Sequence, residues 1–210
     1  PFNGSSMNLT TPAAPKESTL SHLVTSLLYT VATVVVFGFI YPAAITLLGG
    51  LFFPHQAAGS LVLVNGKPAG SAIIGQLFAK PGYFHGRPSA AGKNGYDPTS
   101  TGGTNLGPTS KKLIDATKAT IASVRKENPA QSGPPPMDLV TSSGSGIDPD
   151  VSPEAAYYQI ARVATARHMD PTVLRTVVDA HVAGRTLGIL GEPRINVFEL
   201  NRALDAQSKS

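Results

Sequence analysis

Between Gly82 and Pro108 the stretch GYFHGRPSAAGKNGYDPTSTGGTNLGP gathers His85, Arg87, Ser89 and Asp97. These are the side-chain types from which a nucleophile, a base and an orienting carboxylate are built. Such a site is defined by geometry in space, and closeness in sequence is poor evidence for it. The chain has no G-x-S-x-G elbow and no His-x-x-x-His pair. No catalytic residue is therefore assigned. His85, Arg87 and Asp97 are read as loop structure, because a guanidinium with five donors suits tying irregular backbone carbonyls together. A membrane-anchored hydrolase using Ser89 and His85 stands as the alternative.

The same loop suggests a second chemistry. Ser100 to Asn105, STGGTN, places backbone N–H groups and hydroxyls just before a helix expected to start near Ser110, where the helix end is electropositive. Ser100, Gly102, Gly103, Asn105 and Arg87 are the nucleotide-binding candidates. No G-x-x-x-x-G-K-[ST] occurs, so ATP is expected only as a shared or weak ligand. No cofactor is assigned to this chain alone. The absence of cysteine excludes thiolate nucleophiles, disulfides and Cys-ligated metal. His55, His168 and His181 show no ligand spacing, and no metal site is assigned.

The elements that position these residues divide the 210-residue chain unevenly. Between Glu17 and Lys67 there is no Asp, Glu, Lys or Arg, and HLVTSLLYTVATVVVFGFIYPAAITLLGGLFFP is apolar on every face. Crossing about 30 Å of hydrocarbon takes about 20 helical residues, so a transmembrane helix over 20–53 is expected. It is too long for a cleaved secretory signal and should remain as an anchor. PFNGSS, residues 1–6, is read as foreign to the natural chain, with Met7 the natural start and 7–19 a short tail. A lone helix has no lumen, so conduction by this chain alone is excluded. Gly38, Pro42, Ala43, Gly49 and Gly50 are the candidates for packing against a partner helix, small residues allowing close backbone approach and Pro42 kinking or breaking the helix.

Residues 54–210 are expected to form a soluble α+β domain with a small mixed sheet and several helices. The whole net charge of +4 lies on this part, since Lys16 and Glu17 cancel. In LVLVNGKPAGSAIIG two β-rich runs meet at Asn65-Gly66, the strongest short hairpin signal, and predict a small sheet beside the membrane exit. SKKLIDATKATIASVRKEN predicts a helix with Leu113, Ile114, Thr117, Ile121 and Val124 on one face, and MDLVT a short strand. Ser152-Pro153-Glu154 and Asp170-Pro171 read as helix starts, Gly184 as the end of the second of those helices, and Asn196 with Glu199 as the cap of a last one.

Several motifs stand in order: IYP at Ile40, GQLF at Gly75, YFHGRPSA at Tyr83, Tyr96 followed by STGGTNL, LVTSSGSGIDPDVSPEAA at Leu139, Gln159-Ile160 with Arg162-Val163-Ala164, and INVFELNRALD at Ile195. On these the chain resembles the C-subunit family of the Kdp potassium-transporting ATPase, the bacterial high-affinity K+ uptake complex. The resemblance implies a non-catalytic accessory subunit of the inner membrane, single-pass, with its soluble domain on the extracytoplasmic side. It implies as partners a channel-like K+-translocating subunit, a P-type ATPase subunit and membrane lipid, with K+ handled by those subunits and no nucleic acid. Consistently, the chain has no D-K-T-G-T and no T-V-G-Y-G-like filter. Two roles follow from the family: assembly and stability of the complex, or a catalytic chaperone that raises the ATP affinity of the motor through a Gly-Gly stretch. Here that stretch is Ser100 to Asn105, where Thr104 and Asn105 depart from L-S-G-G-Q.

Overall fold

The computed structural model describes residues 18–207, so residues 1–6 and nearly all of the 7–19 tail lie outside the described residues. The chain divides into two units between Ala57 and Ala58.

The first unit is an apolar helix. α1 (Thr19–Thr33), a π-helical stretch (Val34–Ile40) and α2 (Tyr41–Phe52) run on as one helix of 34 residues, Thr19–Phe52, none of it buried. At 1.5 Å per residue this is about 50 Å, enough to cross the hydrocarbon of a bilayer with tilt. Ser18 caps it, its Oγ accepting from Ser21 N at 3.2 Å. A kink or break was expected at Pro42; the helix does not break there but continues through a widened turn. Proline lacks an N–H, and its ring crowds the carbonyl four residues back. The π stretch lies directly upstream, and Tyr41 N–H reaches five residues back to Val36 O. The hydroxyls of Ser26, Thr30 and Thr33 donate to the carbonyls four residues earlier at 2.7–2.8 Å, so they are already paired within the helix. A single turn, α3 (Pro54–Ala57), follows.

The second unit bears out the α+β reading, with its strands in two separate antiparallel ribbons. β1 (Leu61–Val64) and β2 (Lys67–Ser71) form the hairpin read at Asn65-Gly66. Both turn residues have positive φ, +52° and +74°, which is the I′ geometry that Asn-Gly favours. The second ribbon joins β3 (Asp150–Val151) to β4 (Ile195–Asn196). MDLVT is not a strand: Met137–Leu139 is a turn of 3₁₀-helix, and Asp138 accepts from Ser152 N at 2.7 Å.

α4 (Lys111–Glu127) has the expected stripe half-buried at Leu113, Thr117, Ile121 and Val124, while Ile114 falls outside it. α5 (Pro153–Arg167), α6 (Pro171–Ala180) and α7 (Val197–Gln207) start where the caps were read. Ser152 Oγ accepts from Ala155 N, Asp170 Oδ1 from Thr172 N, and Asn196 Oδ1 from Glu199 N. α6 ends at Ala180, short of Gly184, because His181 N–H closes onto Val178 O. The core lies among these three helices and the β3–β4 ribbon. Leu174, Val178, Ile195, Leu200 and Leu204 are fully buried there, each contributing about 1.5–3 kcal/mol of transfer free energy. Phe84, from the irregular loop, belongs to the same core.

Candidate functional site

The loop from Pro81 to Tyr96 has no ladder of its own, yet its polar backbone is buried in part and must find partners. α5 and α7 supply them. Asn201, only 1% exposed, pairs in both directions with Phe84: Phe84 N–H donates to Oδ1 at 2.8 Å, and Nδ2 donates to Phe84 O at 2.9 Å. Gln159, equally buried, treats His85 alike: His85 N–H donates to Oε1 at 2.8 Å, and Nε2 donates to His85 O at 3.1 Å. An amide is the side chain that offers donor and acceptor side by side, so two of them imitate the edge of a β-strand. Arg162 adds bonds to Pro81 O at 2.6 Å, Tyr83 O at 3.0 Å and Gln159 Oε1 at 2.7 Å. Arg167 donates to Gly82 O, pairs with Asp205 at 2.8 Å and lies 4.8 Å over the Tyr83 ring.

The rest of the loop packs against residues 144–148 of the LVTSSGSGIDPDV motif. Gly102 N–H donates to Ser145 O at 2.8 Å, and a Cβ on Gly103 would sit 3.1 Å from Gly144 O. Gly75 N–H bonds Ile147 O, and a Cβ there would overlap the Asp148 carbonyl and come 2.7 Å from the Tyr96 ring. Tyr96 OH donates to Arg87 O at 2.6 Å, and burial, followed by the Asp148 charge, pushes its pKa up to about 12.

Between this loop and the C-terminal half of α4 lies a cavity of about 380 Å³, lined among others by Phe78, His85, Arg87, Ser123, Glu127 and Gln159. His85 bridges its wall: Nδ1 is 3.3 Å from Glu127 Oε2 and Nε2 is 3.2 Å from Lys80 O. Burial and then the Arg162 charge lower the His85 pKa, against the opposing pull of the Lys80 carbonyl and of Glu127, which is 42% exposed and screened by water. The imidazole is thus held toward its neutral form.

The structure brings together only part of the predicted set. His85 and Arg87 share the cavity wall, and Arg87 pairs with Asp148 at 3.2 Å. Ser89 lines the cavity too, but its Oγ donates to Gly146 O at 2.5 Å and accepts from Ala91 N and Tyr96 N at 3.1 and 2.7 Å. Its bonding capacity is filled by backbone, and no bond joins it to His85, which removes the geometric basis of the hydrolase alternative. Asp97 closes an Asx turn on Thr99, whose hydroxyl and then N–H hold its carboxyl pKa below the usual value. Ser100, Gly102, Gly103 and Asn105 do not line the cavity that holds Arg87, and the Gly102 N–H is engaged by Ser145. In the first unit, a Cβ on Gly49 or Gly50 would meet nothing within 4 Å, and one on Gly38 only Val34 at 3.7 Å.

Sequence reasoning missed Gln159, Arg162 and Asn201 as the clamp. The readable signal was a polar residue on an otherwise apolar helical face, Gln159 between Ala156 and Val163 and Asn201 between Val197 and Leu204.

Comparison with known proteins agrees with the motif reading. The family model described as K+-transporting ATPase, c chain, matches residues 23–206. A protein of Koribacter versatilis (strain Ellin345) named potassium-transporting ATPase KdpC subunit is 51% identical over 184 residues, covering 88% of this chain and 94% of its own length. Proteins of the same name from Methylobacterium nodulans and Myxococcus xanthus are 51% and 52% identical, each covering 88% or more of both chains. The match runs from the apolar span into the helix that bears Asn201, and the chain belongs to the C-subunit family of the Kdp K+-transporting ATPase.

Proposed function

We propose that the chain is a non-catalytic accessory subunit that holds the Kdp complex together. Its helix packs against the channel-like K+-translocating subunit or the P-type ATPase subunit, and residues 58–207 present a rigid surface on the extracytoplasmic side of the bacterial inner membrane. The observation that carries this reading is the division of labour among the polar side chains of the signature motifs. Asn201, Gln159, Arg162 and Ser89 are all engaged in fixing loop backbone, as a scaffold requires. Gly49 and Gly50 support it, since nothing in this chain requires glycine there and a neighbouring helix would. The sidedness rests on the family resemblance, because Lys16 and Lys67 alone flank the span and give no charge bias.

The test is co-purification. Replacing Gly49 and Gly50 by Leu should leave this chain folded but release it from the other subunits and reduce K+-stimulated ATPase. A complex that assembles and hydrolyses ATP at full rate without this chain would refute the proposal. Protease added to sealed right-side-out vesicles should digest residues 58–207, and protection would reverse the sidedness.

A further inference from the structure

An asparagine followed by glycine can cyclise, because a residue without a Cβ leaves its backbone nitrogen open to attack the preceding side-chain amide. Among the described residues the candidates narrow quickly. Asn128, Asn196 and Asn201 have their amides bonded to Val124 O, Ala72 O and Phe84 O, and Asn105 precedes a leucine. Asn65-Gly66 and Asn94-Gly95 remain, and both asparagines are exposed. The sequence treats the two alike; the fold separates them. Asn65 sits in the left-handed region at φ +52° and closes the β1–β2 hairpin, where Val64 pairs with Lys67 directly across the turn. Bringing Gly66 N onto the Asn65 side chain means rotating the backbone out of the I′ geometry that the paired strands hold. Asn94 lies outside any strand, and neither its side-chain amide nor the Gly95 N–H has a hydrogen-bond partner among the described residues. The fold also fixes glycine at position 95, where φ is +78° and a Cβ would come 3.3 Å from Ser89 Cβ, so no branched residue can shield Asn94.

We propose that Asn94 is a deamidation site, favoured by the fold over Asn65, and that its isoaspartyl product unties the loop at Tyr96. Gly95 N loses its proton and bonds to Asn94 Cγ; the Cγ–Nδ2 bond breaks and ammonia leaves, which gives a succinimide. Water, the other reactant, then opens the ring at either carbonyl. Cleavage between Cγ and the Gly95 nitrogen yields ordinary aspartate. Cleavage between the Asn94 backbone carbon and that nitrogen yields isoaspartate, with the main chain running through the side chain and one carbon longer. The added carbon falls just before Tyr96, whose N–H donates to Ser89 Oγ at 2.7 Å and whose register on that hydroxyl it displaces. Either product also places a carboxylate on the lining of the cavity that holds His85 and Arg87, since Asn94 lines it too.

The full chain is aged in detergent and mildly alkaline buffer, either folded or unfolded in guanidinium chloride, then digested for mass spectrometry, which reads the exchange of amide for acid at each Asn-Gly pair. Unfolded, the two pairs should react at similar rates. Folded, Asn65 should react at least about tenfold more slowly than Asn94, the factor that each 1.4 kcal/mol or so of turn-breaking cost imposes. Equal rates in the folded chain, a faster Asn65, or an Asn94 that stays intact overturns the proposal. The isoaspartyl form should also exchange the Tyr96 amide hydrogen about three- to tenfold faster, the range expected for one lost hydrogen bond. Asn94→Gln, whose longer side chain closes the ring poorly, should keep its Tyr96 protection through ageing. Fresh Asn94→Asp, which has the charge but the ordinary main chain, should keep it as well. Loss of protection in aged Asn94→Gln or in fresh Asn94→Asp overturns the link between the lengthened main chain and Tyr96.

Discussion

Asn201 offers the sharpest test of the clamp. Asn201→Leu keeps the forked shape of the side chain, with bulkier ends, but deprives Phe84, which is 0% exposed, of partners for both its N–H and its C=O. Each orphaned buried group costs about 1–3 kcal/mol, so a loss of about 2–6 kcal/mol is expected, a large share of the 5–15 kcal/mol typical of a folded domain. The neighbouring Arg202→Ala is the control: it removes an exposed pair with Glu199 and should cost no more than about 1 kcal/mol. Urea unfolding in detergent micelles, followed by circular dichroism, isolates the second unit because the apolar span stays helical in the micelle. Hydrogen exchange over residues 81–86 reports the loop directly. Asn201→Asp adds a pH signature. Its carboxylate would face the Phe84 carbonyl with no donor, whereas the protonated acid restores one, so its folded-state pKa lies above the unfolded value of about 3.9. The variant should therefore come closest to wild type below about pH 4 and lose ground as pH rises through the raised pKa. If Asn201→Leu stays within about 0.5 kcal/mol of wild type with unchanged exchange at Phe84, the loop is held by something other than the amide pair.

Other outcomes follow from the same geometry. Gly75→Ala should cost more than about 2 kcal/mol or prevent folding, because the methyl overlaps Asp148 O, whereas Gly133→Ala, with nothing within 4 Å, should be neutral or stabilising by a few tenths; thermal melts of the two separate them. Ser89→Ala removes three backbone contacts and should lower stability by about 1–3 kcal/mol, and Ser89→Cys, which keeps a weak donor, should fall in between. His85, with its pKa depressed by burial, binds a proton more readily unfolded than folded. Wild type should lose stability as pH falls below about 6.5, and His85→Gln should lose less over that window. Titrating the chain with millimolar ATP should give no heat that Gly102→Ala abolishes, since the Gly102 N–H is already bonded to Ser145 O.

Local signals carried much of the fold. The Asn65-Gly66 hairpin, the caps at Ser152, Asp170 and Asn196 and the apolar span depend on residues within four positions of one another, and all were legible. MDLVT was misleading because its apolar pattern is short and Asp138 answers to Ser152, fourteen residues on. The π stretch before Pro42 was not legible either, since several helical geometries accommodate a proline and the choice is made by the whole helix. At the candidate site the residue types were visible but the pairings were not. Ser89 and His85 look like a nucleophile and a base in sequence, and only the distant Gly146 and Glu127 reveal what each is engaged in.

The clamp also imposes an order on biogenesis. Phe84 is bonded to a residue 117 positions later, and Tyr83 to Asp205, 122 positions later. At about 5–20 residues per second the loop leaves the ribosome roughly 6–25 seconds before its partners exist. Throughout that interval the Phe84 ring and the loop's backbone amides are open to water, chaperones and proteases. The C-terminal helix is the latch that ends the exposure. A chain stopped before Asn201 would carry every signature glycine and still have an unlatched loop, so quality control that recognises the open loop distinguishes finished subunits from unfinished ones.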